Sequence, residues 1–185
     1  VRPEYSIRQV LVEHQHFNDT EKREHIRRLL LRAAEQGAVP IVNYNDPVND
    51  EENRKMELAH LRAQNADVVE CVDNDETAAV IAGLVNARTL VILTSTDGIY
   101  RDPSDPKTLV RALCAKDPGQ LESEIRALQH CCHGASRSGA NGAFAKLEYI
   151  IKPAMQGTMV LIGHARHRIR DLVEDRVPHT RIGLI

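Results

Sequence analysis

Apolar residues alternate along this chain between helical spacing and short unbroken runs. Ile26, Leu29, Leu30, Ala33 and Ala34 follow i, i+3, i+4, i+7, i+8, which is one face of an amphipathic helix. That helix is predicted to start near Asn18 to Thr20, whose side chains can cap it, and to stop at Gly37. Val39-Pro40-Ile41-Val42 comes next as a short strand. Residues 51–64 are rich in helix formers and mostly charged, and predict an exposed helix. Residues 73–85 predict another, with Ala78, Ala79, Ala82 and Val85 on one side. Leu90-Val91-Ile92-Leu93 is apolar throughout, as a strand covered on both faces should be. Turn formers over 97–105 predict a loop or hairpin. Helices are expected over 120–132 and 143–155, the second interrupted or bent at Pro153. Met159-Val160-Leu161-Ile162 reads as a buried strand, with a polar helix over 167–175 after it.

Strands alternating with helices imply an α/β fold: a mostly parallel sheet between two helix layers, a three-layer αβα sandwich. In such sheets ligands bind beyond the carboxyl ends of the strands. The apolar runs lead in turn into Asn43-Tyr44-Asn45-Asp46, into Thr94-Ser95 and into Gly163-His164. The first two clusters are small and polar, and are expected to converge on one rim.

Composition narrows the function classes. The chain has 185 residues, 42% apolar and 27% charged, with no repeat and no low-complexity tract, so disorder is not expected. Twenty-four basic against 26 acidic residues argue against a nucleic-acid binder, and 3% aromatic content without tryptophan argues against a base-stacking surface. No apolar run is long enough to span a bilayer. Cys71, Cys114, Cys131 and Cys132 lack CxxC spacing, so a reduced, cytoplasmic protein is expected.

Each motif also has a plainer reading. Asp73-Asn74-Asp75-Glu76 caps a helix, and the same position lets Asn74 and Asp75 hold an amino acid's polar groups. Asn43 to Pro47 is equally a turn. The small residues from Gly134 to Gly142, ahead of a helix with Lys146, either connect two elements or let backbone N–H groups approach a phosphate. This is neither a Walker A loop nor a GxGxxG fingerprint. Cys131-Cys132-His133 lacks the second ligand pair a zinc site needs, and His14 and His16 give no better case. The basic stretch from Arg166 to Arg170 reads as a solvated helix face, or at most a charge near an anion.

Taken in order, five segments resemble the amino-acid kinase superfamily and, within it, the glutamate 5-kinase family. They are Val39 to Asp46, Asp73 to Asp75, Leu90 to Thr94 continuing into Asp97-Gly98-Ile99-Tyr100, Gly139 to Lys146, and Arg181 to Ile185. The resemblance implies ATP-dependent phosphorylation of the side-chain carboxylate of L-glutamate, with ATP and Mg²⁺ as cofactors, in a homo-oligomer. It further implies that Asp46 and Asn74 bind glutamate with Asn43 and Asp75 beside them. Thr94 and Ser95 would contact the nucleotide, and Gly139, Ala140, Asn141, Gly142 and Lys146 would form the phosphate loop. Lys146 would be the catalytic cation. The family usually has Asp at Ser95, Thr at Ala140, Gly at Asn141 and Glu at Tyr44, and a shorter segment between Asp46 and Asp73. One domain over 1–185 is expected, without the family's N-terminal strand, glycine-rich turn and lysine, and without its C-terminal RNA-modification-type domain. Two alternatives stay open: a kinase of this fold acting on another acceptor, such as a nucleoside monophosphate or another carboxylate or phosphonate, or a non-catalytic nucleotide-binding module.

Overall fold

In a computed structural model, residues 4–45, 51–64, 68–70, 74–132 and 142–185 are described. They form two compact units, residues 1–81 and 82–185.

The first unit opens with β1 (Ser6–Val12), α1 (His14–Asn18), α2 (Thr20–Glu35) and β2 (Ala38–Tyr44), followed by α3 (Glu51–Gln64). β1 and β2 pair in parallel, Ser6 opposite Ala38 through Val12 opposite Tyr44. Register partners share a face, so Val10, Val12, Ala38 and Tyr44 are buried together. Ile7, Leu11 and Ile41 lie on the other, exposed face. Asp19 caps α2 by accepting from the Lys22 N–H at 2.9 Å. The helix buries Ile26, Leu30 and Ala33 and ends just before Gly37, whose φ of +69° suits glycine. α4 (Asn74–Leu84) spans the division between the units.

The second unit holds β3 (Thr89–Thr94), β4 (Ala112–Ala115), α5 (Pro118–Gln129), α6 (Gly142–Met155), β5 (Met159–His164), α7 (Ile169–Val173) and β6 (His179–Leu184). The strand order is β3-β5-β6-β4. β3 pairs with β5 in parallel, β4 with β6 in parallel, and β5 with β6 antiparallel. With β1–β2, three of the four described pairings are therefore parallel. Leu90, Ile92, Val160, Ile162, Leu113 and Ile182 pack with Leu121, Ile125, Leu128, Leu147 and Ile150 of α5 and α6 on one face. The opposite face meets α7, where a Cβ on Gly163 would lie 2.5 Å from Leu172 Cδ2. Helices thus cover both faces of this sheet, giving three layers.

Several expectations change. β3 is not covered on both faces, since Leu93 is 43% exposed, and among the described residues β5 is its one strand neighbour. α6 continues through Pro153 to Met155 without interruption, because the proline falls in the last turn and its carbonyl accepts from the Gln156 and Thr158 N–H groups. The polar helix expected over 167–175 contracts to the five residues of α7, since the residues before it are engaged in a turn. The sequence pattern also passes over β1, α1 and β4. These are short, or mix apolar and polar residues because only one face is buried.

Candidate functional site

Asn43, Asn74 and Asp75 belong to the first unit. Asn43 is exposed near the carboxyl end of β2, in register with Leu11. Asn74 opens α4 and is exposed, and Asp75 follows it half-buried. Asp46 lies outside the described residues, as do Asp73, Cys71 and His133. Beside Asn43, Asn45 does turn work: its N–H donates to the Val12 carbonyl at 2.9 Å and its Nδ2 to Glu13 Oε1 at 2.8 Å. The Asn45 bond, followed by one from Gln15, holds the Glu13 carboxyl below the usual carboxylate range. Asn18 contributes something the sequence did not announce. Its side-chain amide takes both backbone groups of Val69, at 2.9 and 2.7 Å, and ties residues 68–70 to α1.

The second unit holds Thr94, Ser95, Gly142 and Lys146, whereas Gly139, Ala140 and Asn141 lie outside the described residues. Thr94 and His164 are register partners at the carboxyl ends of β3 and β5. The Ala165 N–H extends the ladder to the Thr94 carbonyl at 2.9 Å. Ser95 follows, exposed. α6 packs on β5 and β6, and only residues 156–158 separate it from β5, so it runs back antiparallel to β5. Fourteen helical residues rise about 21 Å and six strand residues about 20 Å. The N-terminus of α6 therefore stands at the carboxyl ends of β3 and β5. The side chain of Gln129, at the end of α5, marks the same level: its Nε2 donates to the Phe144 carbonyl at 3.2 Å and to Glu148 Oε2 at 2.9 Å. Burial raises the Glu148 carboxyl, but Gln129 and Arg126 outweigh that and leave it below its ordinary value.

This end of the sheet suits an anion. A helix N-terminus carries partial positive charge and N–H groups without intrahelical partners. Lys146 sits about one turn into α6, half-buried. Gly98 shapes the loop after β3. Its φ is +153°, and a Cβ there would fall 2.4 Å from Thr180 Oγ1, the atom that accepts from the Ile99 N–H at 2.8 Å. Of the loop or hairpin expected over 97–105, an antiparallel bridge between Tyr100 and Leu109 makes a hairpin.

Arg166 is not on a solvated helix face. It lies in the turn before α7, and its Nη2 donates to both Asp97 carboxylate oxygens, at 2.7 and 2.9 Å. His167 Nε2 is 3.2 Å from Asp97 Oδ1. The sequence pattern puts His164 at a strand end and Asp97 in a turn, but the partnership of Asp97 with the 164–167 turn crosses about 70 residues and has no local signal.

Among the described residues no group of three or more His, Cys, Asp and Glu is arranged to hold a metal ion, and Cys114, Cys131 and Cys132 are free thiols. Burial, with Cys131 alongside, pushes the Cys132 thiol up. Among the described residues no helix is long and apolar enough to cross a membrane.

A mostly parallel α/β sheet with a helix N-terminus and a lysine at its strand ends is an arrangement that can accommodate an anion. The model of the amino acid kinase family matches residues 3–164, and the chain belongs to that family. It is 30% identical over 181 residues to a glutamate 5-kinase of Xanthomonas oryzae pv. oryzae (strain MAFF 311018), covering 97% of this chain and 44% of that protein. A glutamate 5-kinase of Clostridium perfringens (strain 13 / Type A) is 32% identical over 147 residues, 78% of this chain and 48% of its own. One from Xylella fastidiosa (strain M12) is 28% identical over 178 residues, 95% of this chain and 41% of its own. The chain thus spans less than half the length of these curated relatives.

Proposed function

We propose that this chain carries out ATP-dependent phosphorylation of the side-chain carboxylate of L-glutamate. The observation that supports the nucleotide half of this reading is the meeting of Thr94, Ser95 and the N-terminus of α6 at one end of the four-stranded sheet. Membership of the amino acid kinase family and the glutamate 5-kinase relatives support the choice of reaction and acceptor.

In this reading Thr94 and Ser95 border the nucleotide, and Gly139 to Gly142 offer backbone N–H groups to its phosphates. Mg²⁺, entering with ATP, would supply positive charge to the phosphates. Asp46 and Asn74, with Asn43 and Asp75 beside them, bind the acceptor. A carboxylate oxygen attacks the γ-phosphorus, the bond to the β–γ bridging oxygen breaks, and ADP leaves with that electron pair. The products are an acyl phosphate and ADP. An ionised carboxylate is already a nucleophile and needs no general base, so positioning and electrostatic stabilisation carry the rate. Lys146 is the group that opposes charge on the phosphoryl group in flight.

Hydroxylamine traps an acyl phosphate as a hydroxamate. Purified protein given MgATP, L-glutamate and hydroxylamine is expected to form glutamyl hydroxamate with ADP in equal amount. ADP release with a different acceptor and none with glutamate would keep the phosphotransferase and replace its substrate. Nucleotide binding without turnover on any acceptor would leave a binding module. Lys146→Ala should lower the rate by about a hundredfold or more while the melting temperature barely moves. Equal turnover in variant and parent would remove Lys146 from the mechanism.

A further inference from the structure

The loops after β3 and β5 carry a cation that the phosphoryl transfer, with Lys146 as its cation, does not use. We propose that Arg166 is a further anion-binding residue at this end of the sheet, holding phosphate oxygens of a nucleoside di- or triphosphate, with Asp97 and His167 as its positioning residues. The identity of the ligand rests on the kinase reading; the anion site itself rests on geometry.

Three features support the assignment. Nη2 makes both bonds to Asp97 and Nε lies 3.5 Å from His167 Nε2, whereas among the described residues no bond is made by Nη1, so Nη1 is the nitrogen left for a ligand. Exposure follows the same division: the Arg166 side chain is 58% exposed, against 21% for Asp97 and 17% for His167. The anchor is mostly covered while the cation is offered. The backbone beneath it is also fixed. The Arg166 N–H donates to His164 Nδ1 at 3.1 Å, and Ala165 N–H bonds Thr94. The guanidinium is therefore registered to both strand ends, at the same end of the sheet as the N-terminus of α6. An exposed ion pair adds little to stability, so this degree of fixing is better explained by a guanidinium held in place to offer its remaining nitrogen to an oxyanion as a charge-assisted donor.

The test is calorimetric titration of the full chain with ADP, adenosine and inorganic tripolyphosphate, comparing the parent with Arg166→Ala, Arg166→Lys and Asp97→Asn. Arg166→Ala should weaken ADP and tripolyphosphate about ten- to a hundredfold and leave adenosine unchanged, as expected for loss of a charged hydrogen bond. Arg166→Lys should recover part of the loss, and Asp97→Asn should fall between parent and Arg166→Ala. Unchanged ADP and tripolyphosphate affinity in Arg166→Ala overturns the proposal. So does equal weakening of ADP and adenosine with a lowered melting temperature, because the residue would then only brace two loops. If the parent binds tripolyphosphate through Arg166 but not ADP, the anion site stands and the kinase reading falls. If the parent binds none of the three, both fall.

Discussion

Gly98 shows how a single residue can be fixed from two directions at once. Its backbone occupies a region L side chains rarely adopt, and Thr180 fills the space a Cβ would need. Gly98→Ala is expected to cost about 2–4 kcal/mol in urea unfolding, from backbone strain together with overpacking against Thr180. A loss below about 0.5 kcal/mol would mean that the loop relaxes freely. Glu13 offers a test of sign. Its folded pKa lies below the ordinary 4.5, mainly because Asn45 donates to it. The stabilisation is therefore present above about pH 4.5 and lost as pH falls through the lower folded value. Asn45→Ala should be less stable than the parent at neutral pH, and the gap should narrow in unfolding curves taken toward about pH 3. A gap that widens in acid would assign the shift to another group.

At the scale of elements, α7 has five residues, too few to hold as a helix by itself. Leu172 is fully buried and lies over Gly163, and this contact holds the helix to the sheet. Leu172→Ala is expected to destabilise the protein by about 2–5 kcal/mol, measured by chemical denaturation. A near-neutral result would mean that α7 is held by its ion pairs, Arg170 with Glu174 and Arg176 with Asp171. Long periodic elements were legible in the sequence. α2, α5 and α6 each bury a stripe, and β5 is a continuous apolar run. Short elements were not, because β4 and α1 have too few residues to display a period. The contraction of α7 was hidden for another reason: Arg166 and His167 are compatible with a helix but are diverted by Asp97, a partner about 70 positions away.

For the whole molecule, a continuous buried apolar cluster lies within residues 82–185 and joins β3, β4, β5 and β6 to α5 and α6. Amide exchange should accordingly be slowest in β5, β6 and α6 and faster in β1 and β2, whose second face is exposed. The opposite order, read by mass spectrometry of exchanged peptides, would show that the dominant core is elsewhere.

The sequence alone determined the α/β class, the family, and which strand ends and which helix start carry polar or cationic residues. Those come from local periodicity and from motif order, both written along the chain. Tertiary structure decided the rest: that among the described residues β3 has β5 as its one strand neighbour, that Thr94 stands opposite His164, and that the start of α6 comes to that same end. It also turned Arg166 from a surface charge into a group aimed by Asp97. Pairing and orientation of this kind depend on contacts between residues distant in sequence, which no local pattern of side chains encodes.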